Sequence, residues 1–189
     1  MRRFVLFVLS GLFIVSLNPV FAATYNLDPT HTYPNFTVSH LGYSTMHGRF
    51  GATKGTMELD LDKGTGSVSV VIEAKSIDTG FHKRDEHLRS PDFFNVNEFP
   101  EITFKSTKVK FKGDSKAQVD GDLTIMGVTK NVSLMVHHIR CAIHPFNKKE
   151  VCGFDATTSI KRSDFGMKFG LPAIGDDIAI SLEVEGVRQ

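Results

Sequence analysis

Hydrophobic and polar residues alternate with a period of two along most of the chain from residue 23 onward. Turn-forming residues at 62–66 and 112–114 separate these runs, and about eight or nine strands are predicted in all. Because half-buried antiparallel strands in that number can close on themselves, the pattern predicts an all-β fold, an antiparallel eight- to nine-stranded barrel. The clearest apolar faces are Val68, Val70 and Ile72; Val132, Leu134 and Val136; and Ile178, Ile180, Leu182 and Val184.

One segment departs from this alternation and is predicted to be a short helical element near residues 82–94. Charged residues surround Leu88, and Ser90 with Pro91 can begin a further turn. Phe93, Phe94 and Phe99 follow within a few residues. Such an element can close one mouth of a barrel with its aromatic rings turned inward, or the rings can simply fill a core.

The first residues predict export. Arg2 and Arg3 precede an apolar run over residues 4–17, and small residues end at Ala22. That run has 14 residues, whereas a membrane-spanning helix needs about 20. We therefore expect residues 1–22 to be a cleaved signal peptide and the mature protein to be soluble in the periplasm or secreted.

The mature chain, residues 23–189, has the length of a single domain with a substantial core. Cleavage removes two of the 22 basic residues and none of the 21 acidic residues, which leaves a net charge of about −1. This balance disfavours nucleic acid as a partner.

Two cysteines, Cys141 and Cys152, are the only ones in the chain. In an exported protein a lone pair is expected to form a disulfide. Pro145 and Asn147 lie midway between them and favour a turn. We expect the disulfide to bridge one hairpin.

The predicted barrel interior is apolar and rich in phenylalanine. An eight-stranded barrel is either filled by its own side chains or just wide enough for one small ligand, and the pattern alone leaves both open. The predicted apolar interior comprises Phe36, Val38, Phe50, Met57, Leu59, Phe104, Leu123, Ile125 and Phe154, with Phe93, Phe94 and Phe99 from the helical segment.

Six sequence blocks, in order, resemble the YceI-like family over nearly the whole mature chain. The family resemblance implies a lipocalin-like barrel that holds a polyisoprenoid chain in its interior. Cys141 and Cys152 depart from the family pattern, and the hairpin between them is altered. The blocks read DPTHTYPNFTVSHLGYSTMHGRF, RDEHLRSPDFFNV, FPEITFKST, GDLTIMGVTKNVSL, RSDFGM and ISLEVEGV.

The resemblance implies an exported carrier of a long-chain isoprenoid or similar amphiphile, such as a quinone, a prenyl phosphate or a fatty amide, for transport, storage or stress protection. Arg84 and Arg89 could hold a phosphate or a carbonyl, or they could form ion pairs with neighbouring carboxylates. Transient membrane contact and a homodimer are both compatible with this function. The residues expected to contact the polar head of the ligand are His31, His40, His47, Arg84, His87 and Arg89.

Catalysis is not expected, and neither a metal nor a cofactor other than the bound lipid is predicted. His82 and His87 are five residues apart and so do not share a helical face, while His137 and His138 would point to opposite faces of a strand. The usual nucleophile and nucleotide-binding motifs are missing. A small basic cluster of Lys161, Arg162 and Lys168 is expected to be a solvated loop.

The alternative function belongs to a different class. A barrel with a filled core could bind a protein partner through its outer surface or through the 141–152 hairpin. Lumen substitutions would then leave function intact, whereas changes near residues 144–149 would remove it.

Overall fold

The computed structural model describes residues 22–189 as an antiparallel sheet of eleven strands with one α-helix. The predicted signal peptide falls almost entirely outside the described residues. The helix is α1, His82–Arg89. The strands are β1 Ala23–Leu27, β2 Tyr33–His40, β3 Ser44–Phe50, β4 Thr53–Asp60, β5 Thr65–Glu73, β6 Ile77–Asp78, β7 Glu101–Phe111, β8 Ala117–Ile125, β9 Val128–Ile143, β10 Glu150–Lys161 and β11 Ile174–Arg188.

Eight of these strands form a closed ring in the order β1, β4, β5, β7, β8, β9, β10 and β11. Pairing of β1 with β11, which sets Tyr25 opposite Arg188, closes the ring. The predicted antiparallel barrel is therefore confirmed. The remaining strands, β2, β3 and β6, extend the wall from the other half of β11, where Ile180 lies opposite Phe36.

Helix α1 lies between β6 and β7, within the predicted helical segment. It ends at Arg89, and Ser90 takes an extended conformation with ψ of 171°. Pro91 explains this, because a residue before proline is disfavoured in the α conformation. Residues 90–94 form a turn instead, in which the N–H of Phe93 donates to the carbonyl of Ser90.

One end of the barrel is closed by a small dense core. Its buried members are Tyr25, Leu27, Met57, Cys152 and Val184. The Tyr25 hydroxyl donates to a Glu150 carboxylate oxygen at 2.7 Å. We call this the closed end.

The predicted disulfide between Cys141 and Cys152 is present and joins β9 to β10 near the turn of their hairpin, at the closed end of the barrel. The two cysteines face each other directly in the strand register. Period-two alternation together with the turn at residues 144–149 produces this pairing, because directly opposite residues of antiparallel strands have adjacent side chains. Among the described residues, no helix is long and apolar enough to cross a membrane.

Candidate functional site

A cavity of about 410 Å³ occupies the barrel interior from the closed-end core to the opposite end, which we call the open end. Its wall is built almost entirely from the inward apolar faces of the strands. On β5, for example, Val68, Val70 and Ile72 line the cavity, whereas the alternate residues Ser67 and Ser69 do not. The alternation that predicts the sheet therefore also produces an apolar lumen.

An aromatic cluster borders the open end. The His87 ring of α1 lies 5.1 Å from the rings of both Phe93 and Phe169, and those two phenylalanines are 5.3 Å apart, all centroid to centroid. His87 Nε2 lies 2.9 Å from a carboxylate oxygen of Asp92. That contact orients the imidazole, which places a polar ring edge among apolar rings at the cavity entrance.

Arg84 also lines the cavity, on the side of α1 that faces β6. Its Nε donates to Thr79 Oγ1 and its Nη2 to the Thr79 carbonyl, both at 2.7 Å. The Thr79 backbone N–H in turn donates to the buried carboxylate of Asp85 at 2.9 Å. These bonds fix the guanidinium beside the cavity.

Arg162 holds together the segment between β10 and β11, which lies at the open end. Its side chain is buried, and it donates to the carbonyls of Gly175, Met167 and Ile174 at 2.8 to 3.0 Å. Burial lowers the pKa of Arg162, an effect that the charge of Asp176 opposes. The expectation of a solvated loop is wrong for Arg162, because its guanidinium satisfies carbonyls that the irregular backbone leaves unpaired, whereas Lys161 and Lys168 are exposed.

Comparison with known proteins gives an unambiguous family. The family model for the YceI-like domain matches residues 25–186. Protein YceI of Escherichia coli O157:H7 is 40% identical over 171 residues, which cover 89% of this chain and 88% of that protein. A UPF0312 protein of Pseudomonas aeruginosa is 39% identical over the same shares. This chain belongs to the YceI-like family.

Solved structures of similar proteins share the fold. The YceI protein of Campylobacter jejuni is 31% identical, covers 80% of this chain and 90% of its own, and has a TM-score of 0.70. BcnA of Burkholderia cenocepacia has a TM-score of 0.74 at 23% identity, with 84% of this chain and 98% of its own covered. A polyisoprenoid binding domain from Saccharophagus degradans, 17% identical, has a TM-score of 0.63 and covers 89% of this chain and 99% of its own.

Most of the predicted apolar interior of this YceI-like barrel lines the cavity. The exceptions are Met57, which is buried in the closed-end core, Leu59, which packs against that core, and Phe99, whose ring lies against Gly127. Period-two alternation identifies the inward face of a strand but not the height of a residue along the barrel axis. The prediction that Met57 and Leu59 line a ligand cavity therefore does not match their position at the closed-end core. The predicted residues that do line the cavity are Phe36, Val38, Phe50, Phe93, Phe94, Phe104, Leu123, Ile125 and Phe154.

The predicted polar residues divide in the same way. His40, His47, Arg84 and His87 border the cavity. His31 does not, because it lies exposed outside the lumen with Nδ1 2.9 Å from the carboxylate of Asp28.

Arg89 is also absent from the cavity, since its guanidinium donates to the carbonyls of Lys75 and Ile77 at 2.8 Å. Ion pairing, the alternative role for Arg84 and Arg89, does not describe either residue, since both bind main-chain oxygens and Arg84 also binds a threonine hydroxyl. The nearby carboxylates of Glu86 and Asp92 lie against His82 and His87 instead.

Sequence reasoning missed two parts of the site. The inward faces of β5, β9 and β11 line the cavity, although their alternation by itself indicates only that these segments are strands. The 162–169 segment was missed because its residues follow no strand or helix period. Its cavity-lining members are Arg162, Phe165, Met167 and Phe169.

Proposed function

We propose that this protein binds a long-chain isoprenoid or a similar amphiphile, such as a quinone, a prenyl phosphate or a fatty amide, inside the barrel. The observation that carries the proposal is the apolar cavity of about 410 Å³, which His40, Arg84 and His87 border. That volume lies within the range of roughly 300–1,000 Å³ typical of small-molecule sites. The polyisoprenoid binding domain of Saccharophagus degradans, which shares the fold, supports the same ligand class.

The lumen supplies affinity for the tail of the ligand. Burial of about 500 Å² of apolar tail is worth roughly 12 kcal/mol before association costs are subtracted. Because the side walls are apolar and carry few hydrogen-bonding groups, this contribution depends on the length of the tail rather than on its chemistry. Long isoprenoid and acyl chains are therefore both suitable occupants.

The open end supplies discrimination between head groups. Arg84 offers N–H groups held in place by Thr79, and His87 and His40 add ring nitrogens at the cavity border. A guanidinium suits a phosphate or carbonyl oxygen. A quinone, a prenyl phosphate or an amide would place its oxygen beside these groups with its tail in the lumen.

We assign the mature protein to the periplasm or to secretion, as the N-terminal residues indicate, with a role in transport, storage or stress protection. We propose no catalytic step. Among residues 22–189, no group of three or more histidine, cysteine, aspartate or glutamate side chains is arranged to hold a metal ion.

The 141–152 hairpin supports a second candidate function, which is binding of a protein partner. Ile143 and Phe146 are 63% and 88% exposed on a turn held by a disulfide. A protein partner could bury these side chains at the closed end while the lumen carries a ligand. The filled interior that this alternative first assumed is not observed, because the lumen holds a cavity.

Native mass spectrometry of the mature protein, purified from its own host without detergent, tests the main proposal. We expect a discrete mass increment that transfers to organic solvent and identifies as a lipid with a long apolar tail. A bare mass, together with no uptake of added quinone or prenyl phosphate, would contradict the proposal and favour the hairpin as the functional surface.

A matched pair of substitutions on β11 locates the bound molecule. Ile180 lines the cavity, whereas the adjacent Ser181 is exposed on the outer face. Ile180→Trp fills the lumen and should lower lipid uptake at least about tenfold, while Ser181→Trp should leave uptake unchanged, since only the first displaces the tail. Equal uptake by both folded variants would place the lipid outside the barrel.

A further inference from the structure

Four large apolar side chains are exposed around the open end. Leu41 and Tyr43, 49% and 89% exposed, lie in the turn between β2 and β3. Phe81, 55% exposed, directly precedes α1, and Phe169, 47% exposed, lies in the segment after β10. We call these four residues the rim.

The rim residues belong to neighbouring segments. The N–H of Leu41 donates to the carbonyl of Ala173 at 2.8 Å, which joins the β2–β3 turn to the segment that carries Phe169. Phe169 in turn contacts His87 of α1, and Arg84 of the same helix lies 5.8 Å from the ring of Phe81. The exposed apolar surface is thus continuous with the border of the apolar cavity.

The charges near the rim favour an anionic partner. Among the residues that the structure describes, Lys83 and Lys168 form no salt bridge, and they stand two residues after Phe81 and one before Phe169. Most carboxylates at this end have partners. Glu73, Asp78, Glu101 and Asp177 pair with Lys75, Arg49, Lys54 and Lys161, Asp176 accepts from Ser163, and Glu86 and Asp92 lie against His82 and His87.

We infer that the open end docks on a lipid bilayer, with Leu41, Tyr43, Phe81 and Phe169 entering the interfacial layer and Lys83 and Lys168 contacting anionic headgroups. Aromatic side chains flanked by lysines are the anchors that membrane interfaces favour. Docking in this orientation sets the cavity opening against the acyl layer, so that an apolar tail need not cross water. Membrane docking is a property separate from ligand binding, and it can be measured with no ligand in the lumen.

The chain contains no tryptophan, so one introduced tryptophan reports its own surroundings. Tyr43→Trp places the probe in the rim, and Phe146→Trp places it on the opposite end at a nearly equal exposure of 88%. Each variant of the mature protein is mixed with vesicles of phosphatidylcholine, or with vesicles of phosphatidylcholine and phosphatidylglycerol in equal amounts. Each kind of vesicle is also prepared with brominated acyl chains, which quench tryptophan at the membrane.

With phosphatidylglycerol vesicles, we expect a blue shift and bromine quenching for Tyr43→Trp and neither change for Phe146→Trp. Quenching of Phe146→Trp alone, or of neither variant, would overturn the inference while leaving lipid binding in the lumen untouched. A blue shift of Tyr43→Trp that grows with protein concentration in the absence of vesicles would also overturn it, since the rim would then pack against a second copy of the chain.

Further substitutions separate the two contributions. Leu41→Ser with Phe169→Ser should lower partitioning onto both kinds of vesicle about tenfold or more, because apolar burial is lost. Lys83→Gln with Lys168→Gln should remove most of the preference for phosphatidylglycerol and change partitioning onto phosphatidylcholine little. A preference for phosphatidylglycerol that survives the second pair would contradict the assigned role of these lysines.

Discussion

Two buried hydroxyl groups illustrate how differently the two ends of the barrel are built. At the closed end, the hydroxyl of Tyr25, 3% exposed, donates to Glu150, which also accepts from Arg188 at 2.6 Å. In the cavity wall, Thr53 is equally buried at 3%, yet its Oγ1 is the only buried side-chain oxygen or nitrogen in the described residues without a hydrogen-bond partner. The closed end satisfies its polar groups, whereas the lumen tolerates one that is unsatisfied.

The same contrast holds for packing. Met57 at the closed end is 1% exposed and packs over Gly186, where even a Cβ atom would collide with it. Toward the open end, Phe36, Val70 and Ile160 are only partly buried and border empty volume. Dense packing is therefore concentrated at the closed end, whereas the opposite half encloses the cavity.

Removal of the Met57 side chain should produce the largest effect. Met57→Ala opens a cavity in the dense closed-end core, and we expect the free energy of unfolding to fall by about 3 kcal/mol. Affinity for a lipid probe in the lumen should change less than about twofold, because Met57 does not line the cavity. Urea denaturation and a lipid-displacement assay measure the two quantities.

Leu61→Ala is the matched control for that substitution. Leu61 lies in the turn after β4 at the same end of the barrel but is 47% exposed. Its truncation should alter stability by about 0.5 kcal/mol or less. Equal losses for both variants, or a parallel loss of lipid affinity in Met57→Ala, would show that the closed end is not a separate structural unit.

The difference between the ends also marks the limit of sequence-based prediction. Alternation predicts barrel closure and the inward faces of β2, β7 and β8, because each residue's face follows from the strand period alone. It does not predict that Met57 lies in the closed-end core while Phe104 borders the cavity, since that depends on the height of each residue along the barrel axis. Residues on one inward face look the same in the alternation pattern, but they lie at different heights in the barrel and have different surroundings.

Polar residues of the open end were harder to predict for a related reason. Arg89 and Arg162 bind carbonyl oxygens of irregular backbone, and a sequence pattern does not reveal which carbonyls lack partners. Arg84 and His87 border the cavity, and only the family resemblance indicates this position from the sequence. The ligand roles of all these side chains stay predictions.

The Tyr25 hydroxyl should make the closed end sensitive to alkali. Burial, followed by the hydrogen bond to Glu150 and its negative charge, raises the pKa of Tyr25 to about 12, from 10.0. Because the folded state favours the neutral phenol, this stabilisation is complete below pH 10 and is lost as the pH rises toward 12. We expect a loss of about 2 to 3 kcal/mol across that window.

Tyrosinate absorbance and urea denaturation at rising pH measure this effect. The chain has three tyrosines, so comparison with Tyr25→Phe identifies the absorbance change that belongs to Tyr25. In Tyr25→Phe, unfolding free energy should fall less steeply between pH 10 and 12, because the perturbed group is gone. An unchanged slope in that variant would assign the alkaline sensitivity to another part of the barrel.

Thr53→Val should have the smallest effect and the opposite sign. Replacement of an unsatisfied hydroxyl by a methyl group of similar shape removes a desolvation penalty, and we expect a gain of about 1 kcal/mol in the free energy of unfolding. The matched control is Thr32→Val, because Thr32 is 2% exposed and its hydroxyl donates to the carbonyl of Glu185. That variant should lose about 1 kcal/mol. If Thr53→Val were destabilised equally, the Thr53 hydroxyl would be satisfied in solution, and the lumen would be as well optimised for stability as the closed end.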